Sequence, residues 1–149
     1  GNETVSITGT DATVANVAAI NGATTGLVTV SEVDVTGPTF SLTTDLGDLA
    51  QITGLKTIDA TNAATSALTL HFADLLAAND TAINLPANIA VKLGAGDKIN
   101  LALGNATDGW EMGAGTTGGA GTYVHKTGGA VDYTITVGVG ADTDAVVIA

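Results

Sequence analysis

The sequence predicts a mainly β fold with short helices, in which strand–helix repeats stack like a β-solenoid and an antiparallel hairpin region closes the stack. Composition is the first observation: hydrophobic residues make up 45% of the chain, aromatic residues 3% and charged residues 13%. With 20 glycines and abundant threonine, this favours short strands joined by tight turns. An internal repeat and a hairpin pattern are the other two observations. An Ig-like β-sandwich is the alternative fold.

The repeat is seen when residues 27–54 are compared with residues 55–82, because both follow the order strand, turn, strand and short helix. The helical stretches, TTDLGDLAQI and HFADLLAAN, are both amphipathic. A unit of this size cannot bury its own apolar face, whereas stacked copies bury a continuous core. The positions matched at an offset of 28 residues are Leu27 with Leu55, Val30 with Ile58, Phe40 with Leu68, and Leu42 with Leu70.

The opening segment, VSITGTDATVANVAAINGATTG, is predicted to be a third, truncated copy. Its strand is Val5–Thr8, and Asp11 is placed to cap the helix that follows. Val14, Val17 and Ile20 recur at helical spacing, so we expect them to face the core.

The pattern changes after Leu85. NIAVKLG and DKINLAL predict two short strands around a glycine turn, and GTYVHK and VDYTITVGV predict a hairpin around TGG. AVVIA predicts a last strand, and Trp110 is expected to fill the core or the end of the stack. The chain is therefore predicted to be one composite domain, 1–149, with repeats in 1–84 and an antiparallel β region in 85–149.

Charge and cysteine content exclude several functions. The net charge is −11, which disfavours nucleic acid and anionic lipid headgroups as partners. The chain has no cysteine, so disulfides and thiol chemistry are excluded. No apolar run reaches membrane-spanning length, so no membrane insertion is predicted. A start without Met is expected for a mature or excised piece of a longer protein.

The segments ITGLKTIDATNAATSALTLHFADLL, VKLGAGDKINLAL and GTYVHKTGGAVDYTITV, with a Trp before the last, resemble a module of very large bacterial surface and secreted repeat proteins. Adhesins of the RTX type belong to this group. The resemblance covers residues 52–137, and the first fifty residues are similar to Asp-Thr-Ala repeats of the same proteins. It implies an extracellular, cell-surface role in adhesion or matrix formation. Lys56 and Lys98 depart from the usual pattern by placing positive charge beside candidate calcium ligands.

Calcium is the candidate cofactor. The stretch LGAGDKINL, residues 93–101, partly matches the nonapeptide whose Asp and turn carbonyls bind Ca²⁺, which makes Asp97 a candidate ligand. Asp142 and Asp144, two residues apart, and Asp80 in AANDTA are the other candidates. Ca²⁺ requires six to eight oxygen ligands. The alternative is that these acidic residues form turns by hydrogen bonding their own backbone.

No motif in the sequence predicts an enzyme. His71 and His125 lie far apart without metal-binding spacing, and both are predicted to be solvated. The sequence lacks a nucleophile elbow, and the glycine-rich residues 113–121 lack the Lys-Ser/Thr ending of a phosphate loop. Sequons, which would be glycan sites in an archaeal surface protein and accidental in a bacterial one, occur at Asn2, Asn79 and Asn105.

The sequence therefore predicts an extracellular structural protein that associates with itself, as a module of an adhesin, a surface layer or a filament. End strands, Val5–Thr8 and Ala145–Ala149, are expected to pair with neighbouring copies. The alternative is a calcium-dependent module that binds a glycan or a host surface, which would require an exposed Trp110 near acidic residues.

Overall fold

The computed structural model describes residues 1–7, 12–61, 67–70, 88–101, 109–113, 119–138 and 145–148. It confirms a mainly β chain with short helices. No helix in these ranges is long and apolar enough to cross a membrane.

Short strands and two helices make up the first part of the chain. In order they are β1 (Val5–Ile7), α1 (Val14–Ala23), β2 (Val28–Val30), β3 (Glu32–Asp34), β4 (Thr39–Phe40), α2 (Leu42–Leu46), a 3-10 turn (Leu49–Gln51), β5 (Ile52–Thr53), β6 (Thr57–Asp59) and β7 (Ala67–Leu70). The second part contains β8 (Asn88–Lys92), β9 (Lys98–Leu101), β10 (Gly109–Met112), β11 (Gly121–Thr127), β12 (Ala130–Val137) and β13 (Val146–Ile148).

The strands form three sheets, ordered β1-β2-β5, β10-β11-β12-β8-β6-β3 and β13-β9-β7-β4. Two consecutive passes of the chain, β2-β3-β4 and β5-β6-β7, each give one strand to each sheet, and the equivalent strands pair in parallel. Parallel pairing in three sheets differs from the two antiparallel sheets of an Ig-like sandwich.

The strand register corrects part of the predicted repeat. Phe40 pairs with Leu68, as the offset of 28 residues predicted. In the other sheets the offset is smaller, because Val33 pairs with Ile58 and Val28 pairs with Ile52. The reason is a difference in turn length: seven residues separate β6 from β7, but four separate β3 from β4. The predicted matches of Leu27 with Leu55 and Val30 with Ile58 are therefore wrong.

The predicted hairpin is confirmed, since β11 and β12 pair antiparallel with Thr127 opposite Ala130. Gly128 and Gly129 both have positive φ, as a two-residue hairpin turn requires. Strands β10 and β11 also pair antiparallel, as predicted for this region. The remaining strands differ from the predicted antiparallel region, because β8, β9 and β13 pair in parallel, as does β12 with β8. Apolar–polar alternation predicts a strand and its buried face, but it does not specify the strand's direction.

Rows of aliphatic side chains build the core across these parallel strands. One row runs through Val33, Ile58, Val91 and Val137, which are register partners and at most 3% exposed. Burying each such side chain contributes about 1.5–3 kcal/mol. The row joins residues on both sides of position 85, so the repeat part and the second part share one core.

Helix α1 packs beside α2, and a buried asparagine joins them. Thr13 caps α1 by accepting a hydrogen bond from the Asn16 backbone at 3.3 Å; the predicted cap, Asp11, lies outside the described residues. Of the predicted core face, Val17 is fully buried, whereas Val14 and Ile20 are half-buried. The side-chain amide of Asn21 donates to the carbonyls of residues 46 and 48, at 2.7 and 3.0 Å.

Candidate functional site

Asp97 is the one predicted calcium ligand within the described residues, and the structure places it in a turn. It is 1% exposed between β8 and β9. Its Oδ2 accepts a hydrogen bond from the Gly94 backbone at 2.8 Å, and its own N–H donates to the Gly94 carbonyl at 3.3 Å. This geometry favours the turn-forming alternative. Asp80, Asp142 and Asp144 lie outside the described residues, so their calcium role stays a prediction.

Glu32, Asp34 and Asp59 form a different acidic cluster, which was not predicted from the sequence; their carboxylate oxygens lie within 4.8 Å of one another. Strand register brings them together, because Asp34 is the partner of Asp59 across β3 and β6. The signal in the sequence was the pair of strands EVD and TID, each ending in Asp.

Lys92 lies against this cluster and supplies its positive charge. Asp59 is the register partner of Lys92 across β6 and β8. The Lys92 ammonium lies 2.9 Å from Asp59 Oδ2 and 3.1 Å from Glu32 Oε1. Three carboxylates with an ammonium among them do not fit a calcium site, which needs six to eight oxygens. The arrangement acts as an ion-pair bridge across three strands.

Hydrogen bonding fixes the charge of this bridge. Partial burial raises the pKa of the Asp59 carboxyl, but hydrogen bonds from Thr61 and Lys92 outweigh it and hold the pKa below its usual value. The Thr61 backbone and hydroxyl both donate to Asp59 Oδ1, at 2.9 and 2.6 Å. Hydrogen bonds to Asp59 and Glu32 raise the pKa of the Lys92 ammonium. Asp59 and Lys92 are therefore both charged at neutral pH.

Trp110, His125 and Tyr133 are register partners in β10, β11 and β12 and form a buried aromatic row. The Trp110 ring meets His125 at 5.5 Å and Tyr133 at 6.3 Å, both edge to face. Burial of Trp110, at 4% exposure, confirms its predicted core position and removes it as a glycan platform. The prediction of a solvated His125 is wrong, because it is 0% exposed. His71 lies outside the described residues.

The ends of the sheets are open in the described part of the chain. Strands β1, β4, β10 and β13 are edges of their sheets. The edge of β3 is partly covered, because Thr13 bridges to Asp34 and the Ala12 carbonyl accepts from the Asp34 N–H at 2.9 Å. Exposed large apolar side chains lie in or beside these end strands or at the hairpin turn: Leu27, Met112, Val131 and Val147.

A groove of about 280 Å³ lies between the N-terminal segment and the end of α1. Val5, Ile20 and Ala23 form its apolar walls, and Glu3 and Thr24 lie among its other lining residues. The Thr24 hydroxyl donates to the Glu3 carbonyl at 3.0 Å, which holds the N-terminal segment against the helix end.

No family model, curated protein or solved structure matches this chain. Of the three sequons, Asn2 is exposed, and Asn79 and Asn105 lie outside the described residues.

Proposed function

We propose that this chain is a structural, non-enzymatic module of an extracellular assembly, such as an adhesin, a surface layer or a filament. Its strand–helix repeats stack as a solenoid, and its end strands join neighbouring copies. The observation that carries this proposal is the set of end strands of the parallel sheets that have no second neighbouring strand among the described residues.

The composition of the end strands supports the proposal. Soluble monomers protect edge strands with charged residues, prolines or bulges. The sequences of β1 (VSI), β4 (TF) and β13 (VVI) contain neither charged residues nor proline. Strands of this kind add a partner strand through their free backbone groups.

The alternative, a glycan-binding module that depends on calcium, has less support. Its expected aromatic platform, Trp110, is buried, and Lys92 occupies the acidic cluster. Whether self-association requires calcium is tested by comparing assembly with calcium and with EDTA.

A proline in β1 tests the proposal. Val5 donates its N–H to the Leu27 carbonyl in β1–β2 pairing, so the N–H of Ser6, the next residue, faces the open edge. Ser6→Pro removes that donor and leaves the β1–β2 ladder in place. We expect filaments or sheets for the wild type and for the control Ser6→Ala by electron microscopy, and single particles for Ser6→Pro.

The same images are recorded with calcium and with EDTA. Assembly that is lost in EDTA would assign calcium to acidic residues of this chain. Single, monodisperse particles of the wild type under both conditions would contradict self-association.

A further inference from the structure

A group of side-chain oxygens lies where α1 meets the 3-10 turn that follows α2. The amide nitrogen of Asn21 donates to the carbonyls of Leu46 and Asp48, which uses both of its N–H groups. The amide nitrogen of Gln51 donates to Asp48 Oδ2 at 3.2 Å, and the Gln51 backbone N–H donates to the Asp48 carbonyl at 3.2 Å. The side chain of Asn21 and the backbone of Gln51 therefore meet at one oxygen, the carbonyl of Asp48.

Two amide oxygens at this junction are buried without a donor. Asn21 is 4% exposed, and its Oδ1 has no hydrogen-bond partner within the described part of the chain. The same holds for Oε1 of Gln51, which is also buried. A buried acceptor that has given up its bonds to water costs free energy unless a donor, a water molecule or an ion replaces them. The junction therefore calls for a group that donates hydrogen bonds or carries positive charge.

The carboxylate of Asp48 adds a negative charge beside these oxygens. Asp48 is exposed and makes no ion pair among the residues that the structure describes. The acidic cluster of Glu32 and Asp59 differs, because the Lys92 ammonium supplies its positive charge. A water molecule would satisfy the two amide oxygens and leave the charge of Asp48 to bulk solvent, whereas a cation answers both. A net charge of −11 favours the cation further.

We propose that Asn21 Oδ1, Gln51 Oε1 and the carboxylate of Asp48 bind one calcium ion at this junction. Calcium takes amide and carboxylate oxygens in a flexible geometry, and water supplies the rest of the six to eight oxygens that it requires. The ion joins α1 to the 3-10 turn before β5. None of the acidic residues predicted as ligands from the sequence belongs to this site. The inference concerns the single molecule and does not depend on self-association.

Two variants change the site in opposite directions. Asp48→Asn removes the charge but keeps an oxygen for the Ala50 N–H, which Asp48 Oδ1 accepts at 3.0 Å, so the turn is retained. Gln51→Glu places a second carboxylate beside Asp48, so the two repel each other without a cation and attract calcium more strongly. Matched controls make the same charge changes at exposed positions in the second part of the chain: Glu111→Gln on β10 and Val131→Glu on β12.

Isothermal titration calorimetry with calcium chloride, after treatment with EDTA and dialysis, gives the outcome. We expect equal Kd values for the wild type and both controls, binding at least about tenfold weaker for Asp48→Asn, and tighter binding for Gln51→Glu. Calcium should also raise the urea midpoint of unfolding, most of all in Gln51→Glu. A wild type without saturable binding would overturn the site and assign water to the junction. Equal calcium affinity in the wild type and both site variants would overturn it by placing the ion elsewhere in the chain.

Discussion

At the scale of the residue, the cluster around Lys92 shows how one cation decides what an acidic site does. Glu32, Asp34 and Asp59 supply the hard oxygen ligands that calcium prefers, yet the lysine ammonium lies among them. The ion pairs of Lys92 with Glu32 and Asp59 consequently connect three strands, β3, β6 and β8. Their contribution to stability depends on pH, because it requires a charged Asp59.

We expect acid to weaken this bridge. Partial burial raises the Asp59 pKa, but hydrogen bonds from Thr61 and Lys92 bring it below the ordinary 3.8. The Asp59 contribution is therefore complete above the unfolded pKa and is lost as pH falls through the folded pKa. In Asp59→Asn the free energy of unfolding should fall less steeply than in the wild type as the pH is lowered. Urea unfolding at a series of pH values between about 2 and 7 measures this dependence.

Glu3→Gln is the matched control, because it converts an exposed acid to an amide elsewhere in the chain. Equal acid dependence in Asp59→Asn and the wild type would show that the bridge contributes nothing measurable.

At the scale of the element, the contact between α1 and α2 depends on a polar residue that the hydrophobic pattern does not identify. Asn21 is 4% exposed in α1, and its amide donates to two carbonyls beyond its own helix. Helical spacing predicted Val14, Val17 and Ile20 as the buried face, and Val17 alone is fully buried. Propensity rules place asparagine in turns, so tertiary hydrogen bonds of this kind escape prediction.

Asn21→Ala should lower the free energy of unfolding by about 1–3 kcal/mol, because it leaves the buried carbonyl of Leu46 without its donor. Asn16→Ala, at an exposed position of α1, should change it by less than about 0.5 kcal/mol. Chemical denaturation of the two variants gives the comparison. Similar small losses for both would mean that the Asn21 hydrogen bonds are replaced by water.

At the scale of the whole molecule, the sequence predicts the β class and the hairpin, but strand direction only in part. The alternation of Tyr133 and Ile135 identifies a buried face, and the TGG turn identifies antiparallel β11 and β12. The same alternation in β8 and β13 is compatible with either direction, so their parallel pairing was not predicted. The acidic cluster escaped prediction because strand register brings Asp34 to Asp59, and register depends on turn lengths.

The shared aliphatic row predicts cooperative unfolding of the whole described core. Ile58→Ala should cost about 2–5 kcal/mol, because it opens a cavity beside Val33 and Val91. Trp110, the single tryptophan, lies in the second part of the chain and reports on that part. In Ile58→Ala we expect the unfolding transitions followed by Trp110 fluorescence and by far-UV circular dichroism to move together to lower denaturant concentration. Two separate transitions would indicate two independent domains.

The parallel register also has a kinetic consequence. In the first two passes, β2-β3-β4 and β5-β6-β7, the paired residues are 24 to 28 positions apart, whereas Ile99 and Val146 are 47 apart. Closing a long segment of chain costs conformational entropy before any stabilising contact forms. Strand pairs that are far apart in the sequence therefore form slowly. A chain emerging from its N-terminus completes the early passes first and then waits, with the edges of β8 and β9 uncovered, until β12 and β13 arrive. During that interval the nascent chain is most prone to aggregate, because its unpaired strand edges can pair with another molecule.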